Sequence, residues 1–403
     1  MYWPLMHDTI NWRDKYELLK FIVFSNRFTN GPKVRAFEEA WSKWLGAKYS
    51  LYVSSGSTAN FLLVAAVKEL YKIPAGSKVL LPACTWVTNV SPIIQLGLEP
   101  VFCDISLDHF SFDTEKLPND QDIKIVFVTH LLGLDAPVEK LKEKYPKAIF
   151  IEDICESHGV EGPTGIRRGA GSSEGATFSF YYGHHMTTIE GGMVSTNNKA
   201  LYELMRLKRS HGLAREMSPE DFEKAKKDWP DIDSRFLFLT DGYNFRNTEM
   251  GAVLGLSQLK RLDASIAIRR ENYKYFCERL TEFSDYVHVP CDSSLNSSFV
   301  FPLVCKSPEL MKKLKAKFET RGIENRPIVS GNLLRQPFLK GFKAGRLPNA
   351  DIVNDNGVYI GNSQFVTLDM VNTLIELIGE TINEGDSESN EHASTVPVSR
   401  ARA

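Results

Sequence analysis

The chain has 403 residues, and its 48 Lys and Arg residues nearly balance its 50 Asp and Glu residues. The resulting net charge of −2 excludes a general electrostatic attraction to nucleic acid or to an anionic membrane. No apolar run approaches the roughly 20 residues that a membrane-spanning helix needs. The first four residues, MYWP, lack the basic and apolar segments of a signal peptide. We therefore expect a soluble cytoplasmic protein with no nucleic-acid or membrane partner.

Seven short apolar segments rich in β-forming residues follow one another in the first half of the chain. Several alternate with helical patterns, such as 61–71, where Leu62, Ala66 and Leu70 share one helical face. Apolar strands that alternate with helices are typical of a mainly parallel sheet covered on both faces. Ligands bind such sheets at the carboxyl ends of the strands. The predicted strands are 50–54, 78–82, 99–104, 123–130, 148–153, 176–182 and 192–196.

The second half of the chain shows a different pattern. Residues 251–277 read as one long helical segment, and residues 286–383 contain short strands and two helices, at 309–321 and 370–383. We therefore predict an α/β fold with a larger and a smaller part. The predicted division is an N-terminal segment at an interface or in the small domain (1–30), a large α/β domain (31–250), a linking helix with a small C-terminal α+β domain (251–383) and a polar, disordered tail (384–403).

The cysteines are widely spaced, and no C-x-x-C pair is present. Their spacing therefore offers no zinc or iron–sulfur site. Because no signal peptide is recognised, we expect all of the thiols to be reduced and structural. The six residues are Cys84, Cys103, Cys155, Cys277, Cys291 and Cys305.

The first candidate motif is the small, polar stretch 54–60 (SSGSTAN), between a predicted strand and a predicted helix. Small residues let a ligand approach the backbone, and the free N–H groups of a helix start attract an anion such as phosphate. Helix capping by Ser or Thr accounts for the same residues.

The second candidate motif is 151–159 (IEDICESHG), at the end of an apolar strand. A carboxylate at this position packs poorly but is well placed for a ligand. Asp153 would bind a metal, act as a base or pair with a protonated heterocycle nitrogen. Capping of the following helix is the structural alternative.

The third candidate motif is the loop 183–192 (GHHMTTIEGG), whose glycines favour a tight turn near a ligand. Neighbouring residues cannot place both imidazoles on one face of a strand or helix, so chelation by the pair is disfavoured. One histidine as an acid–base group fits better. We interpret His185 as structural. The polar loops 242–247, 324–327 and 331–337 need no function beyond solvation on sequence grounds alone.

Taken together and in this order, these motifs resemble the sugar-nucleotide aminotransferases of the DegT/DnrJ/EryC1/StrS family, from about Thr29 to about residue 380. The resemblance implies the aspartate-aminotransferase fold (fold type I of vitamin B6 enzymes), with the cofactor held by residues 31–250. It also implies a homodimer whose active sites are shared between the subunits.

The resemblance assigns cofactor contacts to individual positions. Trp86 would stack on the pyridine ring, Asp153 would pair with the ring nitrogen, and Glu156 stands where most members carry Gln. Asn244 would reach the phosphate from the neighbouring subunit. The implied cofactor-binding residues are Gly56, Ser57, Trp86, Asp153, Glu156, Ser179 and Asn244.

One position departs from most of the family. The lysine that normally forms the Schiff base is replaced by His184, five residues after Ser179. Imidazole cannot form that bond, so the cofactor, pyridoxamine or pyridoxal 5′-phosphate, would be bound non-covalently. Imidazole can still move protons near neutral pH. The substitution resembles the family branch of 3-dehydratases that act on GDP-4-keto-6-deoxymannose. A sister branch binds an iron–sulfur cluster through clustered cysteines, which are missing here.

The resemblance implies a GDP-linked 4-keto-6-deoxy sugar as substrate and L-glutamate as amino donor. His211 and Arg215 would face the sugar and its phosphates, Arg326 would clamp the diphosphate, and Glu324 would accept the guanine N–H groups. A surface ion pair is the alternative for each of these residues. Two other functions stay open: a sugar 4-aminotransferase like perosamine synthase, and a noncatalytic sugar-nucleotide-binding protein.

Overall fold

Each of the seven predicted strands in the first half of the chain is present, and together they form one sheet. In the computed structural model, which describes residues 2–291 and 295–394, the sheet order is β1-β7-β6-β5-β4-β2-β3. Strands β3, β2, β4, β5 and β6 run parallel to one another, while β7 is antiparallel to both β6 and β1. The mainly parallel α/β sheet is thus confirmed. Its strands are β1 (Tyr49–Val53), β2 (Lys78–Pro82), β3 (Glu99–Cys103), β4 (Ile123–Thr129), β5 (Ile149–Asp153), β6 (Gly175–Ser179) and β7 (Gly192–Thr196).

The sheet is buried because alternate residues of its strands enter two different cores. In β4, Ile125 and Phe127 belong to one apolar cluster, whereas Val126 and Val128 belong to the cluster on the opposite face. This period of two is the expected side-chain alternation of a strand. Helices cover both faces, which explains why the strands read as unbroken apolar runs.

Twelve helices lie within the described residues. Seven of them precede residue 230 and five follow it. They are α1 (Trp12–Phe24), α2 (Pro32–Leu45), α3 (Gly56–Leu70), α4 (Val87–Gln95), α5 (Val138–Lys144), α6 (Lys199–Arg209), α7 (Pro219–Asp228), α8 (Glu249–Leu259), α9 (Leu262–Leu280), α10 (Pro308–Thr320), α11 (Pro348–Asn356) and α12 (Leu368–Ser394).

A smaller antiparallel sheet follows, in the order β10-β11-β9-β8. Its core includes Phe301 of this sheet and Phe276 of α9, and the N-terminal Trp3 is fully buried in it. Trp3 donates its indole N–H to the carbonyl of Gly361 at 3.0 Å, so the first residues of the chain are attached to this sheet. The strands are β8 (Val287–His288), β9 (Val300–Cys305), β10 (Asn325–Pro327) and β11 (Gly357–Gly361).

The single long helix predicted for 251–277 is wrong, because α8 ends and α9 begins around Lys260 and Arg261. Arg261 has a non-helical ψ of 5°, and its guanidinium contacts Asp14 of α1 at 2.5 Å. The buried carboxylate of Asp14 thus holds Arg261 at the helix junction.

Two cysteines and the tail also depart from expectation. Cys277 and Cys291 form a disulfide with Cα atoms 5.6 Å apart, so the prediction that all thiols are reduced is wrong for this pair. The sequence spacing of 14 gave no sign of this proximity.

Helix α12 continues to Ser394, and Lys317 contacts Glu384 at 2.7 Å, so the prediction of disorder is wrong up to Ser394. Residues 395–403 lie outside the described part of the chain.

Within residues 2–291 and 295–394, no helix combines the length and apolar composition needed to cross a membrane.

Candidate active site

A cavity of about 340 Å³ lies beyond the carboxyl ends of the parallel strands and reaches the small sheet. This is the position that the sheet topology favours for a ligand. Eight of the residues predicted for the site line it together, although they come from five separate parts of the chain. They are Gly56, Ser57, Trp86, Asp153, Glu156, Ser179, His184 and Arg326.

One end of the cavity is the turn that begins helix α3. Ser55 caps the helix by accepting the N–H of Thr58 at 3.1 Å, and Thr58 in turn accepts the N–H of Ser55. This capping box leaves the backbone N–H groups of Gly56 and Ser57 for a ligand. A Cβ on Gly56 would lie only 2.6 Å from Cβ of Ser179, so the Ser179 hydroxyl belongs to the same end. Backbone donors, a hydroxyl and the positive helix end suit phosphate.

The last residue of β5, Asp153, is held by three donors. Its Oδ2 accepts the side-chain amides of Asn60 at 2.8 Å and Asn89 at 2.9 Å, and its Oδ1 accepts the N–H of Cys155 at 2.9 Å. These three donors fix the orientation of the carboxylate. Sequence reasoning missed Asn60 and Asn89, although Asn60 closes the SSGSTAN motif and Asn89 follows Trp86 by three residues.

Glu156 receives fewer donors than Asp153. Its Oε2 accepts the N–H of Leu132 at 3.1 Å, from a 3₁₀ turn in which Leu132 has a positive φ of 55°. Burial, together with the negative charge of Asp153, raises the pKa of Glu156 to about 7. The cavity thus contains one carboxylate held by three donors and a second carboxyl whose pKa lies close to neutral pH.

His184 lies in the loop between β6 and β7, at the cavity wall. Its Nδ1 lies 3.3 Å from the carbonyl oxygen of Ser179, and the rings of Tyr181 and Phe299 meet it edge-on. Burial lowers the pKa of His184 to about 4, so the imidazole is neutral at neutral pH. An Nδ1–H that donates to Ser179 leaves Nε2 unprotonated, as a base requires.

Trp86 stands at the N-terminal end of helix α4, and half of its surface is exposed at the cavity. A large aromatic face with this exposure is available to stack on a planar ligand. Met6, Leu131, Phe299 and Tyr359 also line the cavity, and sequence reasoning did not find them. They come from parts of the chain that carry no motif.

The loop after His184 packs against the turn at residues 55–57, which begins helix α3. A Cβ on Gly192 would collide with the carbonyl of Ser55, and a Cβ on Gly191 would collide with the Thr188 hydroxyl. Ile189, between them and His184, has a positive φ of 72°, which is strained for a β-branched residue. Gly192 is therefore needed for the close approach of β7 to Ser55, and Gly191 is needed for the packing of the loop against Thr188.

Four predicted site residues do not line this cavity. Asn244 and His211 lie at the surface in contact with Arg246, at 3.1 Å and 3.3 Å, and Arg215 is exposed in a nearby 3₁₀ turn. The carboxylate of Glu324 accepts the Tyr2 hydroxyl at 2.7 Å and the N–H of Leu5 at 2.9 Å. The N-terminal segment therefore occupies the oxygens that guanine was expected to bind.

The chain belongs to the DegT/DnrJ/EryC1/StrS aminotransferase family, whose family model matches residues 12–378. It is 32% identical over 390 residues to the GDP-4-keto-6-deoxy-D-mannose 3-dehydratase of Escherichia coli O55:H7, covering 93% of this chain and 99% of that protein. It is 34% identical over 391 residues to the enzyme of the same name from Yersinia pseudotuberculosis, covering 93% and 98%.

A solved structure of GDP-4-keto-6-deoxymannose-3-dehydratase with a trapped PLP-glutamate geminal diamine is also similar. It has a TM-score of 0.84 and 30% identity, covering 93% of this chain and all of that chain. The predicted fold of the pyridoxal-phosphate aminotransferases is thereby confirmed.

Proposed function

We propose that the protein is a pyridoxamine-phosphate-dependent 3-dehydratase that removes the C3 hydroxyl of GDP-4-keto-6-deoxymannose. The observation that carries the proposal is the joint lining of one cavity by Asp153, the Gly56 turn and His184. Its near full-length similarity to two enzymes of this name supports the same conclusion.

The cavity residues fit a pyridoxamine or pyridoxal phosphate. Gly56, Ser57 and Ser179 would hold the phosphate, since their donors meet where Gly56 has no room for a side chain. Asp153, fixed by Asn60 and Asn89, would pair with the ring nitrogen. Trp86 would stack on the ring, and protonated Glu156 would donate a hydrogen bond.

When bound, the protonated pyridine ring accepts the electron pair that a broken C–H bond leaves behind. His184 Nε2 would remove the proton from the carbon that joins the amine to the ring. The same imidazole would return a proton to the C3 oxygen as it leaves. Asp153 would keep the ring nitrogen protonated, and Trp86 and Phe299 line the same cavity.

The absence of a lysine distinguishes this proposal from a 4-aminotransferase. Among the cavity-lining residues in the described part of the chain, none is lysine, and His184 occupies the wall beside Ser179. A cofactor bound without a covalent link is free to leave or to be converted by L-glutamate in the same site. Glutamate as amino donor is part of the proposal.

We further propose a homodimer that shares its active sites. Arg326 is the single Lys or Arg among the described residues that line the cavity, which also contains Asp153, Glu156 and Glu190. A second subunit would add charged and polar groups for the phosphates of the substrate. Asn244, His211 and Arg215 lie on an exposed segment that a second copy would contribute.

Exposed apolar side chains on helix α1 support a partner surface. Trp12 is 78% exposed and Phe24 is 81% exposed, with Tyr16, Leu19 and Val23 along the same helix. Such a patch on a helix is typical of an interface.

We also propose that the domain division predicted above holds for residues 1–383 and that the enzyme works in the cytoplasm.

The reaction is tested by incubating the protein with pyridoxal phosphate, L-glutamate and GDP-4-keto-6-deoxymannose. The released ammonia is measured, and the mass of the sugar product is determined by mass spectrometry. Release of ammonia with loss of the C3 oxygen is expected. A stable 4-amino sugar would instead identify an aminotransferase, and tight binding without turnover would identify a noncatalytic binding protein.

The covalent state of the cofactor is tested separately. Borohydride reduction of the pyridoxal-phosphate-loaded protein should leave no pyridoxyl-lysine in the active-site peptides. A reduced pyridoxyl-lysine would contradict the role given to His184.

Subunit sharing is tested by mixing two inactive variants, His184→Asn and Asn244→Asp. Exchange of subunits should restore part of the activity, because one site of each mixed dimer carries both natural residues. Activity that stays absent after verified exchange would argue against shared sites.

A further inference from the structure

His184 is held by few contacts of its own. The imidazole of His184 makes one hydrogen bond within the described structure, from Nδ1 to the carbonyl of Ser179, and its length of 3.3 Å is long for a strong bond. Its other described contacts are the edges of Tyr181 and Phe299, with ring centroids 5.7 Å and 5.9 Å away. The loop around it must therefore supply most of its placement.

The next residue, His185, is fixed much more firmly. It is 2% exposed, and its Nε2 lies 2.7 Å from the carbonyl oxygen of Ser297 and 3.0 Å from the Ser297 hydroxyl. Because Nε2–H donates to the carbonyl, Nδ1 is the unprotonated nitrogen, and it has no partner in the described structure. His185 does not line the cavity, so it cannot itself exchange protons with a ligand there.

Ser297 is anchored on two other segments that flank the active site. Its N–H donates to the carbonyl of Gly133 at 2.7 Å, and its hydroxyl donates to the carbonyl of His158 at 2.5 Å. Gly133 belongs to the turn whose Leu132 contacts Glu156. The His185 contact therefore joins the histidine loop to the wall that holds Glu156.

Phe299 extends this link to the cavity. Phe299 lies two residues after Ser297, and its ring contacts both imidazoles. The ring centroids are 5.9 Å apart for His184 and 5.6 Å apart for His185. Phe299 also lines the cavity. One short segment therefore contacts His185 through Ser297 and the base through Phe299.

We propose that His185 is a positioning residue, which places His184 through the hydrogen bond to Ser297. The inference rests on the proposed role of His184 as the base. Without the Nε2–H donor, the histidine loop would lose its hydrogen bond to Ser297, and Phe299 would no longer hold a fixed position relative to that loop. The imidazole of His184 would then shift. A misplacement of about 1 Å can cost about 10²-fold in rate.

The variants His185→Leu and His185→Gln test the proposal. Leucine keeps much of the volume without a donor, whereas glutamine retains a side-chain N–H for Ser297. We expect His185→Leu to lower kcat at least ~10-fold with KM changed less than ~2-fold, and His185→Gln to stay within ~3-fold of the natural protein. His288→Leu, on β8 and away from the cavity, is the matched control.

Equal losses in both variants, a natural rate in His185→Leu, or a loss confined to KM would overturn the proposal. Cofactor affinity should be unchanged in each variant.

A second measurement needs no variant and no sugar. In the natural protein labelled with ¹⁵N-histidine, His185 should carry its proton on Nε2 and should not titrate between about pH 5 and 9. A proton on Nδ1, or titration in this range, would overturn the positioning role. If the natural protein converts neither sugar nor glutamate, the proposed function fails, while this spectrum still decides the state of His185.

Discussion

Asn89 donates its side-chain amide to Oδ2 of Asp153 at 2.9 Å, across a sequence separation of 64 residues. The contact joins helix α4 to the end of strand β5, and Asn60 of α3 meets the same oxygen. Two helices thus fix one carboxylate at the point where a heterocycle would be bound. The orientation of Asp153 is a property of the folded sheet and its covering helices.

Replacement of Asn89 by Leu should weaken cofactor binding. A lost hydrogen bond to a buried charged group costs about 1.5–3 kcal/mol, which corresponds to a loss of affinity of roughly 10- to 150-fold. Titration of pyridoxal phosphate by absorbance measures the dissociation constant. Asn119→Leu, at a remote surface position, serves as the control. Unchanged affinity in Asn89→Leu would show that the amide has no part in holding the carboxylate.

Replacement of His184 by Asn should remove the base and leave the cofactor site intact. The amide has similar size but cannot accept a proton near neutral pH, so dehydration should fall by at least about 10²-fold. Ammonia release measures the rate, and absorbance titration measures cofactor binding. Substantial turnover by this variant would identify another group as the base.

Replacement of Glu156 by Gln should flatten the pH dependence of the reaction near neutrality. The pKa of Glu156 is raised to about 7 by burial and by Asp153, so its carboxyl loses its proton, and the cavity gains a negative charge, above this pH. We expect the rate of the natural protein to decline above this pH. The rate of Glu156→Gln should not change with pH there, because its amide stays neutral. The pH profile of kcat is the measurement. A decline that survives in Glu156→Gln would have another source.

His130 gives a prediction for stability. Burial lowers the pKa of this fully buried histidine, but Asp135 at 3.3 Å and Glu152 at 2.9 Å outweigh it, so its pKa is raised. Its stabilising contribution is complete below the ordinary value of 6.5 and is lost as the pH rises through the folded-state pKa. Burial lowers the pKa of His158, His184 and His185, which therefore stay neutral in this range.

The expected result is a fall in the urea midpoint of unfolding as the pH is raised above the ordinary histidine value of 6.5 and through the raised pKa of His130. The fall should be smaller in His130→Asn, whose side chain does not titrate. Equal slopes for both proteins would show that His130 is neutral in the fold.

The large sheet and much of the cavity were predictable because their signals are local. The apolar strands, the small residues after β1 and the acidic residue at the end of β5 can each be recognised from a few consecutive residues. Asn60 and Asn89 were missed because their meaning depends on Asp153, which lies 93 and 64 residues away. The partners of Glu324 were also beyond reach, since Tyr2 is 322 residues distant. Long-range partners are set by packing, which periodicity does not encode.

The contact of Gly192 with the Ser55 carbonyl has a consequence for protein engineering. A library that diversifies the loop 183–192 in search of new sugars would lose every member that carries a side chain at Gly192, whatever its chemistry. The phosphate turn and the proton-transfer loop therefore cannot be redesigned as independent modules. Randomisation that leaves Gly183, His184, His185, Gly191 and Gly192 unchanged would keep the two halves of the site in register.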